Sequence, residues 1–424
     1  MMPVPKLQRY YIYLLIYIAL VSPAQWCAIP IGNTFIVWTV SFLIVYLSVQ
    51  IRKRVNVTLI GRDYWMVRAY LVWLAVCAIR GLFVAENYWE YKQLINGTLT
   101  CLLPMFVYVF YSPELTAAFY RRWIKWCLPL FFLFYLWTVS PGEVNFYLAP
   151  LFFLGCFQPL IPDRKYRIAV AFCLIFMLVA DLGGRSQVLK ASVAFLFSLI
   201  CFKGNLISQK MIVLAYGGGY LLTFLLLVLG LSGKFNIFED MSSNEGKYVE
   251  RRMVNGVVVE SDLSADTRTF IYIEVLNSAL RNGYLVWGRT PARGNDSVAF
   301  GTFSAEELKT GKYERHSNEL LHLNLLTWIG LVGMLMYTFI YLRSSYLAVY
   351  RSNSKYLKFI GLFIVFHWAY GWVEDFNRFD IQNIALWSVI ALGISSKFRA
   401  MNDREFRCWF RSIFRKPLRH PMRT

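Results

Sequence analysis

Apolar residues in this chain come in long unbroken runs, with little alternation of apolar and polar positions. The runs lie near 10–29, 34–50, 66–84, 94–112, 124–140, 147–161, 168–182, 188–203, 211–231, 319–342, 356–373 and 384–397. Several reach the ~20 residues that a helix needs to cross a bilayer. The pattern predicts an all-α polytopic membrane protein with about twelve transmembrane helices. Strands of a membrane β-barrel would alternate instead. One stretch, 232–315, breaks the pattern: it is charged and mixed, and it ends in Glu314-Arg315-His316-Ser317-Asn318-Glu319 before the next apolar run. The chain therefore divides into a transmembrane bundle at 1–231 with about nine spans, a large loop at 232–318, transmembrane helices at 319–397 and a basic tail at 398–424.

Composition sharpens this reading. Apolar residues make up 57% of the chain and charged residues only 16%, where a soluble chain carries roughly a quarter. The net charge of +19 resembles a nucleic-acid signal, but its distribution says otherwise. Alternate loops carry Arg52-Lys53-Arg54, Arg121-Arg122, Arg164-Lys165, Lys203 with Lys210, and Arg343 with Arg351 and Lys355; the tail adds more. The loops between them, at 27–33, 85–92, 141–145, 182–187 and 374–383, hold few basic residues. The positive-inside rule then places both termini in the cytoplasm and the large loop outside. Membrane sidedness accounts for most of the charge without any nucleic-acid partner. The eight cysteines show no metal-ligand spacing, and the large loop has none. The first apolar run lacks a small-residue cleavage motif and is expected to be an uncleaved signal anchor. The tail mixes Phe406, Trp409, Ile413 and Phe414 with Arg407, Arg411, Arg415 and Lys416. It reads as a basic anchor lying on anionic lipid.

A polar loop of about 85 residues in a membrane protein is where function is expected. Phe270, Ile271, Ile273, Val275, Leu276 and Leu280 predict an amphipathic helix over 267–281, with Asp266 ahead as N-cap. Gly288, Pro291 and Gly294 mark turns. Arg268 falls in the first turn, where a helix end favours anions. It is either half of a phosphate cradle or a surface arginine paired with Asp266. Arg185 sits in the short outer turn Asp181-Leu182-Gly183-Gly184-Arg185-Ser186-Gln187. A guanidinium there suits phosphate, or it pairs with Asp181 or a lipid headgroup. Arg80 has a similar place at the end of the third span, and Arg281, Arg289 and Arg293 add basic character. His316, one of four histidines, stands where the loop re-enters the membrane and can exchange a proton near neutral pH. Glu319 at i+3 can share its helix face. His322, at i+6, cannot. His367 reads as core.

The short Gly-Arg-Ser turn at 184–186, the large loop, Thr267-Arg268 with Tyr272 followed by Trp287-Gly288, and His316-Ser317-Asn318-Glu319-Leu320 leading to Gly330 and Gly333 occur in that order. In this combination the chain resembles the O-antigen ligase and O-antigen polymerase superfamily of bacterial envelope proteins, most strongly over 165–345. The resemblance implies a glycosyltransferase in the bacterial plasma (inner) membrane. It would use a glycan donor carried on undecaprenyl diphosphate and a glycan or lipid A core as acceptor. It implies no nucleotide sugar, cofactor or metal. Membrane lipids and other polysaccharide assembly proteins are its expected partners. Arg185 and Arg268, supported by Arg80 and Arg289, would bind the diphosphate, and His316 would act as general base. Ser317 stands where the family often has asparagine, which keeps Glu319 and His322 as further candidates. Polymerisation of repeat units is the expected reaction. Ligation to lipid A core or protein is the nearest alternative, and a lipid-linked glycan flippase is the rival from another class. A flippase would want inverted repeats and charges at mid-membrane. A polyprenyl-phosphate mannosyltransferase would want acidic residues in 25–33, which has none.

Overall fold

The computed structural model describes residues 4–21, 33–54, 62–138, 144–179, 185–203, 208–231, 249–254, 257–262, 269–297, 300–374 and 378–415. It is a helical bundle: α1 (Val4–Val21), α2 (Thr34–Arg54), α3 (Trp65–Val84), α4 (Tyr88–Cys101), α5 (Pro113–Leu130), α6 (Pro150–Cys156), α7 (Arg164–Val179), α8 (Arg185–Lys203) and α9 (Gln209–Leu231). The large loop contributes the hairpin β1 (Val249–Val254) and β2 (Val257–Asp262), then α10 (Thr269–Arg281), β3 (Asn295–Asp296) and β4 (Glu314–Arg315). The bundle closes with α11 (Leu321–Tyr350), α12 (Lys355–Tyr370), α13 (Ile381–Ile394) and α14 (Asp403–Ser412).

Four helices among the described residues are long and apolar enough to cross a membrane: α2, α3, α9 and α11. Their exteriors are greasy. On α9, Leu214, Leu221 and Phe224 are each more than 60% exposed, which suits lipid and not water. The remaining runs that suggest about twelve spans are shorter or interrupted. The segments Tyr88–Val109 and Pro113–Thr138 pass the test only as one pair bent by 120°. Pro104 sits in the turn after α4 and Pro113 begins α5; a proline lacks the amide that would carry a helix through. The run at 147–161 likewise yields only the seven-residue α6, with Pro150 at its start and Pro159 just past its end.

The tail departs from expectation. Its α14 opens with a capping box of Asn402 and Glu405. Phe406, Trp409, Phe410 and Ile413 are buried. Trp409 Nε1 donates to the Pro113 carbonyl at 2.9 Å, and Arg121 reaches the Ser412 carbonyl with Nε at 3.1 Å. The apolar residues that read as a lipid anchor instead face protein, because α5 offers an apolar surface that α14 covers.

At the centre, α11 packs against α3, α12 and α13. Its backbone breaks at Gly330, which has φ 71° and ψ −179°. A break in a buried helix strands backbone groups, each costing about 1–3 kcal/mol if unpaired. Here the loop after α10 supplies the missing partners. Leu331 N donates to Leu285 O at 2.9 Å and Val332 N to Val286 O at 3.3 Å. In return Arg289 N donates to Thr327 O at 2.7 Å and Thr290 N to Trp328 O at 3.1 Å. Trp73 Nε1, from the middle of α3, donates to Ile329 O at 2.9 Å. Arg80 clamps the same loop from α3, donating to Trp287 O at 2.9 Å and Gly288 O at 3.2 Å.

Only glycine permits this approach. Gly288 also has positive φ, 73°, and a Cβ on it would lie 2.5 Å from the Gly330 nitrogen. A Cβ on Gly330 would collide with the Val286 carbonyl and the Gly288 amide. Gly330→Ala is therefore expected to cost about 3 kcal/mol or more, combining strained backbone with lost bonds. Gly217→Ala on α9, where a Cβ meets nothing within 4 Å, should be neutral or gain a few tenths up to about 1 kcal/mol. Thermal unfolding of the two purified variants checks this. A Gly330→Ala midpoint equal to wild type would contradict it.

Candidate functional site

The inserted loop carries a charged cluster to the end of the bundle that bears the large loop. Helix α4 brings its first turn there, with Asn87 capping the amides of Trp89 and Glu90. Strands β3 and β4 pair antiparallel, Asn295 opposite Arg315 and Asp296 opposite Glu314. Lys312, Glu314 and His316 gather on one face of this segment, close enough for Lys312, Glu314 and Glu90 to act on the His316 ring. That face meets Glu90, which is 1% exposed. Lys312 Nζ lies 2.6 Å from Glu90 Oε1 and 2.7 Å from Glu86 Oε2. Glu314, 4% exposed, receives Arg293 Nε at 2.9 Å and Arg289 Nη2 at 3.1 Å. Arg289 Nη1 also holds Asp296 Oδ1 at 2.7 Å.

Burial alone would push the Glu314 carboxyl up. Arg293 and Arg289 outweigh that, and its pKa is lowered. Four carboxylates and three cations thus neutralise one another almost completely, as a buried cluster must.

His316 stands at the edge of this cluster, half-buried. Its backbone is fixed: Trp328 Nε1 donates to the His316 carbonyl at 3.1 Å, and Gln93 Nε2 at 3.4 Å. The next turn is locked by Asn318 N to Asn324 Oδ1, Asn324 Nδ2 to Asn318 O, both 2.7 Å, and Asn318 Nδ2 to Asn295 Oδ1 at 2.9 Å. The ring is less constrained. Nε2 is 3.5 Å from Ser304 Oγ, and the buried Nδ1 has no hydrogen-bond partner. Burial lowers its pKa; Glu314 and Glu90 raise it, Arg293 and Lys312 lower it, and the net shift is downward from the ordinary value. Burial thus favours the neutral form of the imidazole.

The other sequence candidates divide. Glu319 does not share a helix face with His316, because the helix starts only at Leu321. Glu319 is exposed and paired with Arg315 at 3.3 Å. Arg80 and Arg289 arrive already engaged, the first by carbonyls and the second by carboxylates. His322 is fully buried, its Nε2 on the Trp368 carbonyl at 3.0 Å. His367 is buried too, with Nδ1 on the Phe363 carbonyl at 3.0 Å. Helix α10 begins at Thr269, and Ile271 and Val275 pack on Leu320, Leu323 and Leu326. Asp266 and Arg268 lie outside the described residues, as do 181–184; Arg185 is the first residue of α8.

Comparison with protein-family models, curated proteins and solved structures finds no match for this chain.

Sequence reasoning overlooked several of them. Lys312-x-Glu314-x-His316 is a period-two pattern that could have signalled a charged strand face. Glu90 gave no signal, since its partner lies more than 200 positions away. Lys190 could have been found as the lone cation of an apolar run. It is 3% exposed, with Nζ 5.3 Å from the Phe152 ring and 5.0 Å from Tyr370, in the field of Glu374 and Asp380. Asp380 caps α13 by accepting from Asn383 N at 2.9 Å.

The two glutamates at the rim should differ in their weight. Glu314→Ala strands Arg289 and Arg293 and is expected to cost about 3 kcal/mol. Glu319→Ala breaks an exposed pair and should cost less than about 1 kcal/mol. Thermal midpoints followed by near-UV circular dichroism separate them; equal losses would contradict this ranking.

Proposed function

We propose that this protein is a membrane glycosyltransferase. It joins oligosaccharide repeat units carried on a polyprenyl diphosphate into longer polysaccharide at the outer face of the plasma membrane, with both termini in the cytoplasm. The observation that carries the reading is His316: an imidazole whose pKa burial lowers and whose Nδ1 has no hydrogen-bond partner, set at the edge of a charged cluster that nearly cancels. A sugar hydroxyl is a weak nucleophile and gains from such a base. In the reaction, His316 takes the proton of the acceptor hydroxyl and the oxygen bonds to the donor's anomeric carbon. The bond from that carbon to the diphosphate breaks, and the diphosphate leaves with the electron pair.

Charge developing on the leaving group calls for cations. Arg80 and Arg289 are committed to the scaffold; the family resemblance implies Arg185 and Arg268 for the diphosphate. Glu319, exposed at the same rim, is the alternative base. Arg315 beside it suits an ion pair better than proton transfer.

Replacing His316 with Ala in the native host, with membrane levels confirmed, should collapse long surface glycans to single repeat units. In a purified assay the rate should fall by about 10²–10⁴-fold. Long chains accumulating on the lipid carrier would identify a ligase instead. An unchanged glycan profile would contradict the reading.

The pH dependence follows from the neutral base. The active form is unprotonated, so the rate rises with pH through the folded pKa and then levels. Since burial lowers that pKa, the acidic limb of kcat/KM should lie below the ordinary histidine value of about 6.5. A limb above it would contradict the assignment.

A further inference from the structure

A second concavity opens beside the His316 rim, between the outer face of α10 and strand β4. It encloses about 470 Å³ and is lined by Glu274, Asn277, Ser278 and Arg281 on one wall and Asp296, Ser297 and 312–314 on the other. That volume falls in the usual range for small-ligand sites, ~300–1,000 Å³. We propose that this cleft binds saccharide and holds the acceptor glycan; the proposal rests on the glycosyltransferase reading above.

Three features select the ligand class. First, the cleft is close to electroneutral. Asp296 and Glu314 are paired with Arg289 and Arg293, and Lys312 with Glu86 and Glu90. Only Glu274 and Arg281 bring charges not bound in these pairs, and they are opposite in sign. Neither a phosphate nor a polycation is favoured. Second, planar amide, carboxylate and guanidinium groups face the space, beside the hydroxyls of Ser278 and Ser297 and the Lys312 ammonium. Asn277 and Arg281 are exposed, while Glu274 is held by Ser297 Oγ at 3.0 Å. Such forks match pairs of neighbouring hydroxyls, which donate and accept at once. Third, the apolar surface is flat. Tyr313 is 47% exposed and its hydroxyl donates to Glu306 Oε1 at 3.0 Å, which fixes the ring as a platform. Ile273, 55% exposed, faces the same cleft. An aromatic platform ringed by hydrogen-bonding forks fits the apolar face and hydroxyl edge of a pyranose.

The position connects the cleft to the chemistry. Residues 312–314 line the cleft, and the same segment reaches His316 two residues further on.

The test uses the full chain in lipid nanodiscs and repeat-unit oligosaccharide released from the host's lipid carrier by mild acid. Binding is read by saturation-transfer NMR and titration. Wild type should bind saturably. Asn277→Trp, which fills the cleft, and Tyr313→Ala, which removes the platform, should each weaken binding at least tenfold. Both positions are exposed, so gel filtration should show intact protein. Absence of binding to wild type, or unchanged binding in both variants, would overturn the cleft. Chain growth in the host decides the other question separately: growth that depends on His316 keeps the glycosyltransferase reading even if the cleft fails.

Discussion

The loop-bearing end of this protein hangs on one exchange of hydrogen bonds. At Gly330 a buried helix gives up its own ladder and takes on the backbone of 285–290. Irregular backbone inside a membrane bundle survives only where protein supplies every partner. Here Leu285, Val286, Arg289, Thr290, Trp73 and Arg80 do so. The exchange also sets geometry. It stitches the segment after α10 to the helix that follows His316, so that Trp328 reaches the His316 carbonyl and Arg289 and Arg293 reach Glu314.

A neutral histidine is the consequence. Were the arginines free, their field would suit an anion; were Glu314 unpaired, it would hold a proton on the imidazole. Pairing them off leaves burial as the largest influence on the ring. The site thus combines a charged scaffold with an uncharged imidazole, which suits the proposed activation of a sugar hydroxyl. The same near-neutrality extends into the neighbouring cleft, where the proposed saccharide would meet forks instead of a net field.

Much of the architecture was legible in the sequence. The apolar runs at 34–50, 66–84, 211–231 and 319–342 correspond to α2, α3, α9 and α11, because unbroken apolarity of that length has few other uses. The stripe of Ile271 and Val275 announced α10. Less legible were the interruptions. Prolines at 104 and 150 divide runs whose hydropathy is continuous, and hydropathy does not register a missing amide. The role of Arg80 was hidden for another reason: a cation at a helix end looks the same in sequence whether it awaits phosphate or holds a carbonyl. Gly288 and Gly330 stood out as motif residues, but their mutual contact across 42 positions is a tertiary fact. Glu90 and Lys312 lie still farther apart, and nothing local marks the pair.

Amide hydrogen exchange of the full chain in nanodiscs tests the central claim most directly. If the inserted loop is part of the core, the amides of Arg289, Thr290, Leu331 and Val332 should exchange as slowly as those in the middle of α11. Exchange at the rate of open loops would show that the break is unfilled and that no fixed rim holds His316.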